Sequence, residues 1–380
     1  MNTESRPSSG RQSESSEDSG SGEGVDAIAF YLPQFHPIPE NDEWWGPGFT
    51  EWTNVARARR MYPSHYQPRI PGELGFYDLR LPETRQAQAD LAKEYGISAF
   101  CYWHYWFGSG KQLLQRPFEE VLSSGEPDFP FCLGWANQTW SGIWHGAPER
   151  VLMEQTYPGD ADFRAHFDAV LPAFLDRRYF RIEGRPLFYV FNPGSLPEPQ
   201  RFLDLWRGLA AEAGLPGIFF VGGLSSRTHR LSGAAFDAVV VEGVPSRRIR
   251  RRAVLRRVAR KLGLPDVRSF RRFSATFPLG TGDGQSFPVV MPGWDNTPRS
   301  GKNGVVLHGS RPEIFEEQVA RAVAYVAADQ PPGRRVVFIK SWNEWAEGNY
   351  LEPDQRFGRA YLEAFRAGAA RGARTRASAL

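Results

Sequence analysis

The chain has 380 residues, 41% hydrophobic and 23% charged with a net charge of +3, an ordinary globular composition apart from a high aromatic content of 14%. Met1 to Gly24 is Ser, Gly and Glu with no apolar centre, so neither a signal peptide nor a folded segment is expected there, and no apolar run reaches the roughly 18 residues of a membrane span, so a cytoplasmic protein is expected. Two cysteines, Cys101 and Cys132, fall inside apolar runs; without a framework of spaced Cys they are expected as buried free thiols.

In chain order, short apolar runs alternate with amphipathic stretches. Strand-like runs lie at 26–33, 97–103, 129–135, 186–191, 217–222, 236–242, 287–292 and 335–341. Helical periodicity falls at about 83–95, 112–123, 160–177, 198–213, 247–262 and 312–328, and after the last strand at 356–370. Near-continuous apolar strands alternating with helices predict a parallel sheet covered on its faces, and eight such units predict a closed (β/α)₈ barrel rather than an open doubly wound sheet. The expected organisation is a tail over 1–24, one catalytic barrel over 25–370 and a flexible tail over 371–380. The connection after the first strand, about 34–81, is long enough to be functional.

The positive charge is local. Residues 247–272 hold 12 Arg or Lys against one acid, Asp266, while the rest of the chain has 34 basic and 42 acidic side chains. From 247 to 262, Val254, Val258 and Leu262 recur every four positions, which predicts a helix with one narrow apolar stripe and Arg elsewhere. Its expected role is either a solvated helix on the barrel's outside or attraction to an anionic inner-membrane leaflet carrying lipid-linked glycans. No nucleic-acid module accompanies it, so no nucleic-acid partner is expected.

In a barrel of this kind the active site lies where the strands end. Eleven of the twelve tryptophans fall at strand ends or just after them: Trp44, Trp45, Trp52, Trp103, Trp106, Trp135, Trp140, Trp144, Trp294, Trp342 and Trp345. Aromatic rings grouped on one face predict a sugar-binding cleft, with Tyr31, Trp103, Trp135 and Trp294 expected to line one depression off-centre near the eighth and first strands. Polar residues at the same ends suit hydroxyl pairs: Gln34 and His36, His104, Asn137 and Gln138, Glu242, and Asp295 and Asn296.

The sharpest local signal is Ser341-Trp342-Asn343-Glu344-Trp345-Ala346-Glu347-Gly348, directly after the VVFIK strand. Glycoside cleavage needs one carboxyl held protonated and a second group held ionised. Two neighbouring carboxyls push their pKa values apart and so create that division. Three residues of spacing put Glu344 and Glu347 on one side of a turn. From there they suit an acid beside the leaving oxygen and a base acting on a neighbouring hydroxyl of the same sugar.

The segments AFYLPQFHPIPENDEWWGPGFTEWTNV, HYQPRIPGELGFYDLRLPETR, FCYWHYWF, MPGWDNTPR and SWNEWAEGNYLEPD resemble the WbsX-type family associated with polysaccharide and O-antigen biosynthesis and related to glycoside hydrolase family 99. The resemblance runs from about Val25 to Asp354. It implies a (β/α)₈ barrel acting as a retaining endo-α-mannosidase on an oligo- or polysaccharide. It implies that Glu344 is the base on the sugar 2-hydroxyl and Glu347 the acid, then base, with Asn343 and Trp345 beside them. Seven histidines without a closely spaced pair give no metal-ligand pattern, so neither metal nor cofactor is expected. Two positions depart from the related pattern: Gln138 stands where many relatives have Glu, and Ala346 where the mannosidases commonly have His.

A nucleotide-sugar glycosyltransferase, the label some WbsX members carry, is the rival. Its marks are weak, since Asp160-Ala161-Asp162 reads as a helix start and the glycines of 280–284 precede a strand rather than a helix. A non-catalytic glycan-binding barrel is a third reading, which gives no use to two carboxyls in one apolar turn.

Overall fold

All eight apolar runs form strands in a computed structural model of the chain, which describes residues 24–142, 147–225, 235–242, 257, 259–282 and 284–377. They are β1 (Asp26–Tyr31), β2 (Ala99–Trp106), β3 (Phe131–Trp135), β4 (Arg185–Val190), β5 (Phe219–Ser225), β6 (Ala238–Glu242), β7 (Ser286–Phe287 and Val289–Val290) and β8 (Val336–Ile339). Each is paired in parallel with the next, as in Phe100 with Phe131, Leu133 with Phe188, and Val221 with Ala238. β8 returns to β1 through Asp26 and Val336, so the sheet closes.

The closure runs through a strand in two pieces. Pro288 has no N–H to give a ladder. Before it, Ser286 and Phe287 pair with Val239 and Val240 of β6; after it, Val289 and Val290 pair with Phe338 and Ile339 of β8.

The barrel interior is filled, as expected of a packed barrel rather than a pore. Phe30 stacks on Trp103 at 4.7 Å between ring centres and on Phe338 at 5.4 Å, with Tyr189 edge-on to it at 5.0 Å. Gly134 faces this plug: a Cβ there would stand 3.2 Å from the Tyr189 ring and 3.3 Å from the Trp103 ring, so the two aromatics occupy the room a side chain on β3 would need. Side chains of the opposite parity, Phe188 and Phe220 among them, pack outward against Trp206 of the helix Pro199–Glu212.

Outer helices follow the predicted pattern at Pro82–Glu94, Arg116–Ser124, Asp160–Leu175, Pro199–Glu212 and Pro312–Asp329. The last helix, Ala360–Ala377, runs past the predicted 370 and into the segment expected as a tail. It continues because Gly368 and Gly372 bring it onto the helix Pro312–Asp329. A Cβ on Gly372 would lie 2.5 Å from the Ala320 carbonyl and 2.8 Å from Val323 Cβ. The remainder of the predicted tails (1–23 and 378–380), Trp144, and 247–256 and 258 of the predicted basic helix lie outside the described residues.

The long connection after β1 holds two short helices, Pro39–Trp45 and Glu51–Arg57. It lies against the end of the chain's last strand–helix unit, where the Gly72 N–H donates to the Pro353 carbonyl at 2.8 Å and Trp52 packs on Trp345 at 5.5 Å. This connection therefore forms one wall over the C-terminal end of β8.

Candidate active site

Asn343 and Glu344 pair antiparallel with Tyr350 and Asn349, and a single 3₁₀ turn, Trp345–Glu347, joins them. Gly348 closes that turn with a left-handed backbone (φ 57°), and a Cβ there would stand 2.9 Å from Asp295 Cβ. The turn is tied from several sides. The Asn343 amide accepts from the Leu32 N–H at 2.7 Å and donates to the Leu32 carbonyl at 3.0 Å. The Asp295 N–H donates to the Glu347 carbonyl at 2.6 Å, and the Trp345 indole donates to Glu352 at 2.6 Å.

Within this frame the Glu344 and Glu347 carboxyls hydrogen-bond to each other, both more than nine-tenths buried. The Trp103 indole, from inside β2, donates to Glu344 Oε1 at 3.0 Å. Arg299, from the loop after β7, donates to Glu347 Oε1 at 2.7 Å and with its other nitrogen to Glu51 from the connection after β1. Lys340, at the end of β8 with its ammonium 5.8 Å from the Phe191 ring centre, adds a second cation.

These surroundings divide the pair. Burial pushes Glu344 up, but the hydrogen bond with Glu347, the charges of Lys340 and Arg299, and the Trp103 N–H outweigh it and hold Glu344 below its ordinary value. Burial and the Glu344 charge push Glu347 up to about 8, against the opposing pull of Arg299. Burial and the Glu344 charge outweigh the ion pair with Arg299, whose guanidinium also pairs with Glu51. Of the two neighbouring carboxyls, Glu347 is therefore the one that holds a proton. The arrangement thus offers a proton acceptor and a proton donor side by side on one turn.

Tyr105, two residues beyond Trp103, shares its face of β2 and lies beside the pair; burial, then the Glu344 charge, raises its phenol well above the usual range. It meets Trp140 edge-on at 5.0 Å, and Trp140 meets Trp44 at 6.1 Å. Trp140 and Trp44 are half-buried, and the three rings make an aromatic wall leading to the carboxyls.

The other residues expected at the site are placed elsewhere, mostly for reasons of strand parity. Tyr31 points away from the interior and donates to Gln88 of the helix Pro82–Glu94 at 2.7 Å. His104 contacts His166 of the helix Asp160–Leu175 at 2.9 Å, and burial lowers its pKa to about 4. Trp135, on the outer face of β3, donates to the Trp106 carbonyl at 2.9 Å and packs on Phe202. Trp294 belongs to a separate apolar cluster with Phe270, Met291 and Leu307. The expectation that Tyr31, Trp103, Trp135 and Trp294 line one depression is therefore corrected to Trp103 alone.

The amides and charged groups expected to meet sugar are engaged in holding loops. Asn137 is fully buried, donating to Tyr157 and to the Asn192 carbonyl and accepting from the Asn192 N–H. Asp295 accepts from His65 at 2.8 Å and Gln67 at 2.9 Å; burial pushes it up, but the His65 bond and the Arg69 charge hold it below its ordinary value. Asn343 and Trp345 shape the turn rather than face the space above it, Trp345 stacking on Tyr350 at 3.8 Å. His36 is buried with Nδ1 3.1 Å from the Pro33 carbonyl, and its charged neighbours are Asp78, Arg80 and Arg116 rather than the pair. Gln34 is half-buried beside Glu51, whose N–H its carbonyl accepts at 3.0 Å. Gln138 is exposed and Ala346 fully buried. Glu242 ends β6, with its side chain outside the described residues.

The sequence reading missed Glu51, Arg299, Lys340 and Tyr105. Two of these carried a usable signal: period two along β2 places Tyr105 with Trp103, and along β8 places Lys340 with Phe338 inside. Glu51 and Arg299 sit in loops with no local mark of their partnership.

The sequence model of the family described as Glyco_tran_WbsX, Glycosyltransferase WbsX, matches residues 27–365. The chain is 43% identical over 349 residues to the uncharacterized protein WxcX of Xanthomonas campestris pv. campestris strain B100, and to its counterpart from a second strain. That match covers 89% of this chain and 49% of WxcX, so the chain spans about half the length of these relatives. Among solved structures it is similar to a glycoside hydrolase-like protein (TM-score 0.57, 14% identical, 91% of this chain and 94% of that one). It is also similar to the GH99 endo-alpha-mannosidase from Bacteroides thetaiotaomicron (TM-score 0.55, 15% identical, 93% and 99%). At these identities the likeness is one of fold.

Proposed function

Because the chain belongs to the WbsX glycosyltransferase family, we propose that it is a carbohydrate-active enzyme that cleaves or transfers at glycosidic bonds of a cell-surface polysaccharide. The observation that carries this reading is the buried Glu344–Glu347 pair, with one carboxyl held ionised and the other protonated by their surroundings. The reaction is that of an endo-α-mannosidase-like enzyme retaining configuration. Glu344 takes the proton of the sugar 2-hydroxyl, O2 bonds to the anomeric carbon, and the glycosidic bond breaks as Glu347 protonates the leaving oxygen. Water or a glycan hydroxyl then opens the anhydro-sugar; Glu347 takes the acceptor's proton while O2 recovers one from Glu344. Both carboxyls lie on one turn, which suits action on neighbouring oxygens of one sugar and suits a far-side nucleophile poorly. Trp103, Tyr105, Trp140 and Trp44 are the proposed sugar-facing aromatics.

Incubation with α-mannan and bacterial polysaccharide oligomers, with fragments read by mass spectrometry, tests this. Glu347→Gln and Glu344→Gln should each lose at least ~10²–10⁴ in turnover of unactivated glycosides, and azide should give no glycosyl azide with Glu344→Gln. Wild-type activity in either variant refutes the assignment.

The family's description favours a second reading, transfer from a nucleotide sugar. A thermal shift with UDP- and GDP-sugars separates the two, since the hydrolase-type reading expects no shift. The basic residues Arg257, Arg260, Lys261, Arg271 and Arg272 are exposed, and peripheral attachment of 247–272 to an anionic membrane or a lipid-linked glycan accompanies either reading. Among the described residues no helix is long and apolar enough to cross a membrane.

A further inference from the structure

Arg299 is held between two carboxyls carried by the connections after the neighbouring strands β8 and β1. Its Nη1 donates to Glu347 Oε1 at 2.7 Å and its Nη2 donates to Glu51 Oε1. Glu51 is 1% exposed; it opens the helix Glu51–Arg57, and its other oxygen faces the Asn54 amide at 3.5 Å. The groups acting on Glu347 come from every element around it: Glu344 on its own turn, Lys340 on β8 and Arg299 after β7. Glu51 reaches it through Arg299, and Tyr105 lies beside it from β2.

A guanidinium paired with Glu347 alone would hold that carboxyl ionised, since an opposite charge in hydrogen-bond contact favours the charged form. Glu51 opposes this twice. It takes one edge of the guanidinium, and it brings a second negative charge into the same desolvated space, where charges are poorly screened. We propose that Glu51 is a positioning residue for the Glu347 acid: it holds Arg299 on a second carboxylate and so leaves Glu347 able to keep and deliver a proton. The connection after β1 thereby sets the alkaline limit of the reaction as well as forming a wall of the site. This rests on the reading of Glu347 as the proton donor.

The test is the pH dependence of kcat/KM for wild type, Glu51→Gln, Arg299→Gln and Arg299→Lys on one oligosaccharide. With Glu51→Gln the full charge of Arg299 falls on Glu347, and the alkaline limb should move down by roughly one pH unit. With Arg299→Gln the cation is gone and the limb should move up. Arg299→Lys keeps the charge and should return the limb close to wild type. A contact of structural value only would lower the rate at every pH and leave the limb in place. Movement of Glu51→Gln and Arg299→Gln in the same direction, or of neither, overturns the proposal. If Arg299→Gln does not fold by circular dichroism, the isosteric Glu51→Gln decides alone: a limb that stays or rises refutes it. Glu347→Gln separates the two levels. If it is inactive while the limbs stay fixed, only the role of Glu51 fails; if it turns over like wild type, the reading of the pair fails as well.

Discussion

Trp103→Phe removes one N–H from the site and leaves most of its shape. The indole donates to Glu344 Oε1 at 3.0 Å, while its ring stacks on Phe30 at 4.7 Å. A phenyl ring retains much of that stacking and cannot donate. A hydrogen bond to a charged group contributes about 1.5–3 kcal/mol. Glu344 is more than nine-tenths buried, so solvent recovers little of the loss, and nearly all of it falls on the ionised form. At 1.36 kcal/mol per pKa unit, Glu344 should become roughly one to two units harder to ionise. The acidic limb of kcat/KM, set by the base, should move up by that amount. Because the two carboxyls share a proton, the gap between them also narrows. A smaller share of molecules then has Glu344 ionised with Glu347 protonated, and the maximum falls too. The assay is initial rate on a defined oligosaccharide between pH 4 and 9 (chosen to span both limbs), with the fold checked by thermal melting. An acidic limb that stays put or moves down refutes the argument. A uniform fall at every pH reassigns the indole to sugar contact.

Three further outcomes are expected. Gly372→Leu should destabilise the protein by about 1–3 kcal/mol in urea unfolding, because its Cβ would meet the Ala320 carbonyl and Val323; unchanged stability would contradict the close helix contact. His104 is buried with a folded value of about 4, below its unfolded value near 6.5. Its contribution is full above the unfolded value and is lost as pH falls through the folded one, amounting to about 2 kcal/mol between pH 7 and 5. His104→Gln should lose that part of the pH dependence in urea melts. Co-sedimentation with anionic but not neutral liposomes at low salt, reversed at high salt, is expected of 247–272; equal failure on both would remove the membrane role from that segment.

The barrel was legible because its strands are near-continuous apolar runs, and the Glu pair because it sits in one short motif. What strand-end position alone obscured was parity. Trp103 and His104 are adjacent in sequence, yet one meets Glu344 inside and the other meets His166 outside. Amide chemistry misled for another reason. Asn137 and Asn343 have the paired donor and acceptor that suit sugar hydroxyls, and the same pair suits a peptide group, which is what each binds. Arg299 and Glu51 were invisible because their partnership exists only once β1 and β7 lie on either side of β8.

The turn bearing Glu344 and Glu347 is fastened by Leu32, Asp295 and Glu352, and none of these attachments involves the aromatic wall. On the proposed reading, catalytic geometry and sugar choice are thus anchored to different parts of the chain. Remodelling Trp44 or Trp140 changes what is presented to the carboxyls without moving them. If the proposed roles hold, variants at those two positions should alter glycan selectivity at constant chemistry, whereas a change at Leu32's partner Asn343 should alter the chemistry for every substrate alike.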